Sequence, residues 1–346
     1  TPMKILQIST QVFTVPPLAY GGLEMIVYDL AEELGKLGHD VYVLAPDGSS
    51  GKGFKVLTPC APSMSNPEKL AFDAVKPILR DFDIIHDHSW RGDIYLAKKE
   101  HPKLKVLHTI HAVDPYSSNP IEKPCWVAPS CWHATHTTKR LGVPVETVYH
   151  GINLDVHVPC DSKEANLKAR DYLLFMGRTA NFKGPMEFID LCKQVGMRGM
   201  LAAEDWYVDS RPFVRTVMEA CTATKGQVEY LGRVGQERKR ELMQHAACLV
   251  TPLMPPYFEI FGMATVEAMA CGTPVLSTDR GAAKELIVQG KSGAVVPTEN
   301  QLFEGLKTAL ECSPEDCRTN AERFGRTEMA SNYIKLYNRL LAGDEW

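Results

Sequence analysis

The chain has 346 residues, 45% apolar and 23% charged, a balance that supports one or two domains with full cores and excludes disordered, collagen-like and disulfide-scaffold classes. Its 38 Lys and Arg against 42 Asp and Glu leave a net charge of −4 with no basic or acidic run, so no nucleic-acid partner is expected. No apolar run approaches the roughly 18 residues of a membrane span, so no transmembrane segment is expected, while peripheral membrane contact stays open.

In chain order, Ile5–Ser9 reads as a strand. Leu23, Ile26, Val27, Leu30, Ala31, Leu34 and Leu37 follow at helical spacing, ended by Gly38. Strands are expected at Val41–Ala45, Ile84–His86, Val106–Ile110, Trp126–Pro129 and Thr147–Tyr149, with a Pro- and Ser-rich loop over Ala112–Lys123. Hydrophobic order lapses over Asn153–Asp171, which reads as a linker. The alternation restarts with strands at Tyr172–Met176, Met200–Ala203, Val228–Leu231, Cys248–Thr251, Val275–Ser277 and Ala294–Val296, and helices between them. Short, near-continuous apolar strands separated by helices mean parallel sheets covered on both faces, and two such series mean two doubly wound α/β domains. The expected boundaries are 1–157, 158–327 and a closing helix over 328–346 that packs back across the domains. In this architecture ligands bind beyond the carboxyl ends of the strands.

The ten cysteines form no C-x-x-C pair, and Cys192, Cys248 and Cys271 fall in expected elements, where a thiol acts as a small hydrophobe. Polar Lys4, Gln7, Ser9 and Thr10 interrupt any signal-peptide core. A reduced, cytoplasmic protein is expected.

Several motifs fail. Gly51-Lys52-Gly53 lacks the spacing and hydroxyl of a phosphate-binding P-loop, and no G-x-G-x-x-G follows the first strand. His86-x-His88, His108-x-x-His111 and His133-x-x-His136 lack the third and fourth ligands of a zinc site and read as capped or surface histidines. No G-x-S-x-G elbow is present.

Three motifs hold. Tyr20-Gly21-Gly22-Leu23-Glu24 places two glycines at a helix start, where backbone N–H groups can meet an anion or sugar; taken alone, a turn needing positive φ explains it better. Gly177-Arg178 after a strand and Lys183-Gly184 before a helix set a guanidinium fork and a point charge five residues apart, which suits a diphosphate or two solvated charges. The third runs from Glu259 to Pro274. A helix beginning near Phe261 or Gly262 and ending at Gly272 offers the N–H groups of Phe261, Gly262 and Met263 to a phosphate, and Glu267 lies where a carboxylate can accept ribose hydroxyls.

The Glu259-x7-Glu267 pair followed by Ala-Met-Ala-Cys-Gly-Thr-Pro-Val resembles the signature of the family 4 retaining glycosyltransferases of GT-B fold. The Arg178 and Lys183 pair, the Val15-Pro16-Pro17 and Gly21-Gly22-x-Glu24 loops match the same family. So do Gly38-His39-Asp40-Val41, Asp83-Ile-Ile-His86, Val127-Ala-Pro-Ser130, Tyr149-His-Gly-Ile-Asn153 and Leu231-Gly-Arg-Val234, in order over about residues 3–300. The resemblance implies two facing Rossmann-like domains, acceptor in the first and nucleotide sugar in the second. It implies that Arg178 and Lys183 bind the diphosphate, that Glu267 holds the ribose with Arg233 and Val234 against the base, and that Glu259 with Phe261, Gly262 and Met263 holds the donor sugar. Gly22 would sit near the phosphates and His111 near the transferred sugar, with Ser130 close by. It implies hexosyl transfer with retention, from UDP-glucose by its Val-Pro-Pro…Tyr-Gly-Gly variant, to an unidentified saccharide, lipid or small-molecule acceptor, with no cofactor and no metal. Asp205 and Asp209 are too far apart to imitate an Asp-x-Asp metal motif. The sequence departs from the family at Ala202-Ala-Glu-Asp205-Trp206, where relatives carry a Gly-rich turn, and at Asn181-Phe182, where an acid is commoner. A sugar-nucleotide epimerase and a non-catalytic sugar-nucleotide-binding partner protein are the alternative readings.

Overall fold

The structure, a computed structural model, describes residues 1–19, 21–58, 67–114, 121–160, 170–205 and 211–346, and of Glu204 the backbone alone. Tyr20, Cys60, Trp206, Asp209, half of the 112–123 loop and the middle of the 153–171 linker lie outside the described residues. The chain divides into two compact units, one of Thr1–Gly151 with Phe324–Trp346 and one of Ile152–Arg323.

The first unit runs β1 (Lys4–Ile8), α1 (Gly22–Lys36), β2 (Asp40–Leu44), β3 (Phe54–Leu57), α2 (Pro67–Val75), β4 (Ile84–Asp87), α3 (Ile94–Glu100), β5 (Val106–Thr109), β6 (Trp126–Ala128), α4 (Cys131–Leu141) and β7 (Val145–Thr147). The strands form one sheet in the order β3-β2-β1-β4-β5-β6-β7, every pair parallel. Strand β4 is buried at all four residues, including His86 and Asp87, as a central parallel strand covered on both faces must be. Helix α1 buries Ile26, Val27, Leu30, Ala31 and Leu34, the face its apolar spacing specifies. The core gathers Leu6, Ile8, Leu44, Ile85, Tyr95, Val106 and Trp126. Each fully buried aliphatic chain there contributes about 1.5–3 kcal/mol.

The second unit runs β8 (Tyr172–Arg178), α5 (Pro185–Val195), β9 (Arg198–Glu204), α6 (Arg211–Ala223), β10 (Val228–Gly232), α7 (Gln236–His245), β11 (Cys248–Thr251), α8 (Met263–Ala270), β12 (Val275–Thr278), α9 (Ala283–Leu286), β13 (Gly293–Val296), α10 (Leu302–Leu310) and α11 (Pro314–Ala321). Its sheet is β10-β9-β8-β11-β12-β13, again all parallel. Leu173, Phe175, Leu201, Cys248, Val250 and Leu276 centre its core. The expectation of two doubly wound parallel sheets holds.

The chain then returns to the first unit with α12 (Arg326–Leu341). The expected boundaries at 157 and 327 each fall a few residues beyond those of the compact units, for physical reasons. The start of the expected linker is not loose: Gln244 Nε2 donates to Val158 O at 2.8 Å and Arg318 Nη2 to Leu154 O at 3.1 Å, tying 154–158 to the second unit. Arg326 in turn belongs to the first unit, donating to Asp29 at 2.8 Å and Glu32 at 3.1 Å on α1. The last helix, expected to span both domains, is grouped with the first unit, where Tyr333 and Tyr337 are fully buried. Among the described residues no helix is long and apolar enough to cross a membrane.

Candidate active site

In each sheet the strand order reverses once, between β1 and β4 and between β8 and β11, and ligands bind in the crevice outside the carboxyl ends at such a point. In the second unit the loops leaving β8 and β11 are tied together there. Met254 N donates to Phe182 O at 2.8 Å, and a Cβ on Gly184 would stand 2.0 Å from Pro252 O. With φ of +72°, Gly184 is a position that only glycine fits without strain.

Arg178 and Lys183 occupy this crevice. The Arg178 guanidinium lies over the Phe182 ring at 5.1 Å, Phe182 stacks on Tyr257 at 4.7 Å, and Lys183 Nζ lies 4.4 Å from the Tyr257 ring centroid. Lys183 Nζ donates to Tyr257 Oη at 3.0 Å and to Glu259 Oε2, while Tyr257 Oη donates to Glu259 Oε1 at 3.1 Å. Burial works to lower the Lys183 pKa, but Glu259 and Tyr257 facing it outweigh burial and raise it above the ordinary lysine value. The ammonium is therefore a fixed cation. The buried Arg178 Nε has no hydrogen-bond partner among the described residues.

Glu259 is clamped by its backbone. Glu259 N donates to Arg280 O, Ala282 N donates to Glu259 O at 2.9 Å, and a Cβ on Gly281 (φ +78°) would stand 2.0 Å from Glu259 O. Gly281→Ala should therefore cost on the order of 1–3 kcal/mol and displace the carboxylate. Melting temperature and turnover should fall together; an unchanged melting curve would contradict the clamp. Just beyond, Gly262 is the N-cap of α8, whose first N–H groups have no intrahelical acceptor. Phe261 is buried, and Gly262 and Met263 are partly exposed.

Glu267, expected to hold the ribose, is 3% exposed and paired. Lys239 Nζ on α7 is 2.6 Å from its Oε2, and His157 Nε2 is 3.7 Å from its Oε1. Burial pushes this carboxyl up, but Lys239 and then His157 more than offset that and hold it below the ordinary carboxylate value. Arg233 and Val234 follow β10 directly, with Arg233 exposed.

His111, Gly22 and Ser130 belong to the first unit; the other candidates belong to the second. Gly22 opens α1 behind Gly21, and Glu24 in that first turn is buried and accepts from Thr10 Oγ1. Ser130 is fully buried and caps α4, its Oγ accepting from His133 N at 3.1 Å. The histidines expected on the surface are mostly buried: His86, His88 and His133 are each 0% exposed and His108 is 5%. For His86 and His108 the reason is that β4 and β5 are central strands, where a side chain of either polarity is enclosed. His86 bonds Tyr337 at 2.8 Å and Thr109 at 2.7 Å, and His88 Nδ1 lies 3.0 Å from His111 Nε2. The His111 ring stacks on His150 at 5.2 Å. Burial first, and neighbouring imidazoles second, hold His86, His88 and His111 well below the ordinary histidine pKa, and burial takes His150 down to about 3. These rings are neutral hydrogen-bonding groups. Among the described residues no group of three or more His, Cys, Asp or Glu is arranged to hold a metal ion.

Residues the motif reading does not reach are Tyr257 and Phe182, which sheathe the cation pair, and Lys239, His157 and His88. Tyr257 has a faint signal, two residues before Glu259 in a Pro-rich loop. Lys239 has none, since Gln236–His245 reads as a solvated polar helix.

Two family descriptions match the chain, "Glycosyltransferase Family 4" over residues 20–156 and "Glycosyl transferases group 1" over residues 213–324. A phosphatidyl-myo-inositol mannosyltransferase of Mycolicibacterium smegmatis is 25% identical over 97% of this chain and 90% of its own length. The crystal structure of AviGT4, a glycosyltransferase involved in avilamycin A biosynthesis, superposes with a TM-score of 0.78 at 24% identity over 100% of both chains. Anabaena HepE in complex with UDP-glucose superposes with a TM-score of 0.73 at 16% identity, over 97% of this chain and 99% of that one. At these identities the two crystal structures demonstrate the shared fold.

Proposed function

Because the chain belongs to the family 4, group 1 glycosyltransferases of GT-B fold, we propose that it moves a hexosyl unit from a nucleoside-diphosphate sugar to an acceptor hydroxyl, with retention and without a metal. The donor in this reading is UDP-glucose, the ligand named for Anabaena HepE. The observation that carries it is the cation pair at the carboxyl end of β8, Arg178 with an uncommitted Nε and Lys183 held charged against Glu259. Breaking the sugar–phosphate bond builds negative charge on the leaving diphosphate. Two fixed cations and the start of α8 can stabilise that charge, each preorganised donor contributing about 3 kcal/mol.

In this reading the C1–O bond to phosphate breaks while the acceptor oxygen approaches C1 from the same face, and the departing phosphate oxygen takes the acceptor's proton. Glu259 holds a donor-sugar hydroxyl. Its carboxylate is engaged by Lys183 and Tyr257, which makes it a poor nucleophile. The neutral His111 imidazole contacts the transferred sugar, Glu267 the ribose, and Arg233 and Val234 the base. The N–H groups of Phe261, Gly262 and Met263 meet the sugar and phosphates. The acceptor, unnamed here, falls to the first unit, with Gly22 close to the phosphates.

A thermal-shift panel of UDP-, GDP- and ADP-sugars tests the donor, and ligand at 100 times its Kd should stabilise by about 2.7 kcal/mol. With a working acceptor, free nucleoside diphosphate and a glycoside of the donor's anomeric configuration should form, and turnover should survive exhaustive EDTA treatment. Activity lost in EDTA and restored by manganese would overturn metal independence. An epimerised sugar nucleotide with no glycoside would overturn the transferase reading.

A further inference from the structure

Glu267 and Lys239 form a buried ion pair that the catalytic reading leaves unexplained. Glu267 sits on α8, 3% exposed, and Lys239 Nζ on α7 is 2.6 Å from its Oε2. Carboxylates are almost never this deep unless a counter-charge faces them, because desolvation favours the protonated form. His157 is the more distant partner, 3.7 Å from Oε1, and burial lowers its own pKa. On the same helix Arg238 pairs with Glu241 at 2.7 Å. Lys239 supplies a close ammonium, at 2.6 Å from Oε2.

We propose that Lys239 is a positioning residue for the donor ribose: it holds Glu267 by Oε2 and keeps the carboxylate ionised, so that Oε1 accepts the ribose hydroxyls. The proposal rests on the reading of Glu267 as the ribose acceptor. A carboxylate accepts a hydroxyl bond roughly twice as strongly as a neutral group does, so losing the charge should weaken ribose recognition specifically. Contacts to the base and the diphosphate should be untouched.

The test compares UDP with 2′,3′-dideoxy-UDP by calorimetry on the full chain. The wild type should prefer UDP by tenfold or more. Glu267→Gln and Lys239→Met should both reduce that preference below about threefold while leaving dideoxy-UDP affinity within about twofold. Lys239→Arg should retain most of the preference. If Lys239→Met does not fold, Lys239→Gln, which keeps a donor without the charge, should lose the preference in the same way. A lysine that merely braces the fold would instead weaken both nucleotides equally, and that result overturns the proposal. So does an intact preference in Lys239→Met beside a lost one in Glu267→Gln, which leaves the ribose reading standing. An intact preference in Glu267→Gln overturns the ribose reading itself, and the role of Lys239 with it.

Discussion

Replacing Lys183 with Ala should cut donor turnover by roughly 10²- to 10³-fold, the range seen when one preorganised charge-stabilising donor is removed. The ammonium is held by Glu259 and Tyr257, so its position is fixed before the substrate arrives and no reorganisation is needed as charge develops. Nucleoside diphosphate affinity should also fall by about tenfold or more, since a charge-assisted bond contributes about 1.5–3 kcal/mol. Arg178→Ala is the companion. Its Nε has no hydrogen-bond partner among the described residues, so its loss should weaken the diphosphate with little change in melting temperature. Lys183→Ala, which also strands Glu259, should lower both. Coupled diphosphate-release kinetics and calorimetry with UDP separate the cases. Unchanged UDP affinity in both variants would mean that the cations only brace their loops.

The largest stability effect is expected at Arg326. Its guanidinium meets Asp29 at 2.8 Å, Glu32 at 3.1 Å and Glu33 at 3.0 Å, all with side chains at most 10% exposed. Lys36, 2.6 Å from Glu33, is a further cation beside these acids. Breaking a buried pair from one side costs about 3–5 kcal/mol because it leaves uncompensated charge. Arg326→Ala should therefore lower the melting temperature by roughly 10 °C. The pH dependence has a definite sign. Burial pushes the Glu33 carboxyl up, but Lys36, Thr327 and Arg326 together bring it below its ordinary 4.5. In the wild type its contribution is full above pH 4.5 and is lost as pH falls through the lowered value. In Arg326→Ala the like charges repel, the Glu33 carboxyl loses one of the groups that lower its pKa, and the gap to wild type should narrow on acidification. Calorimetric melts at pH 7 and pH 4.5 measure it; a gap that does not change would show that the acids are not coupled through Arg326.

Much of this architecture is legible in the sequence because parallel strands are apolar along their whole length. Strand β11 is expected and found at Cys248–Thr251. Strand β3 escapes notice: Phe54-Lys55-Val56-Leu57 is short, partly exposed and flanked by Gly51 and Gly53. Strand β7 lies two residues before its expected place, since Val145 and Thr147 pair with β6 while Tyr149 does not. At the site, motif spacing finds Arg178, Lys183, Glu259 and Glu267 but not their neighbours. Whether a carboxylate is open or paired depends on which helix packs beside it, and nothing local to Glu267 announces Lys239. The histidines mislead for the opposite reason: imidazole is ordinarily a surface group, and the centrality of β4 and β5 encloses His86 and His108.

The first unit is discontinuous in sequence, and that has a consequence for biosynthesis. Its strands emerge from the ribosome before the second unit, yet the helix that buries Tyr333 and Tyr337 against His86 and Thr109 is made only after all of Ile152–Arg323. Domains commonly fold in the order in which they are translated. Here the second unit is fully synthesised before the first, which must wait with the polar faces of His86 and Thr109 uncovered. A nascent chain stalled anywhere before Arg326 would present that surface, together with the acids of α1, to chaperones.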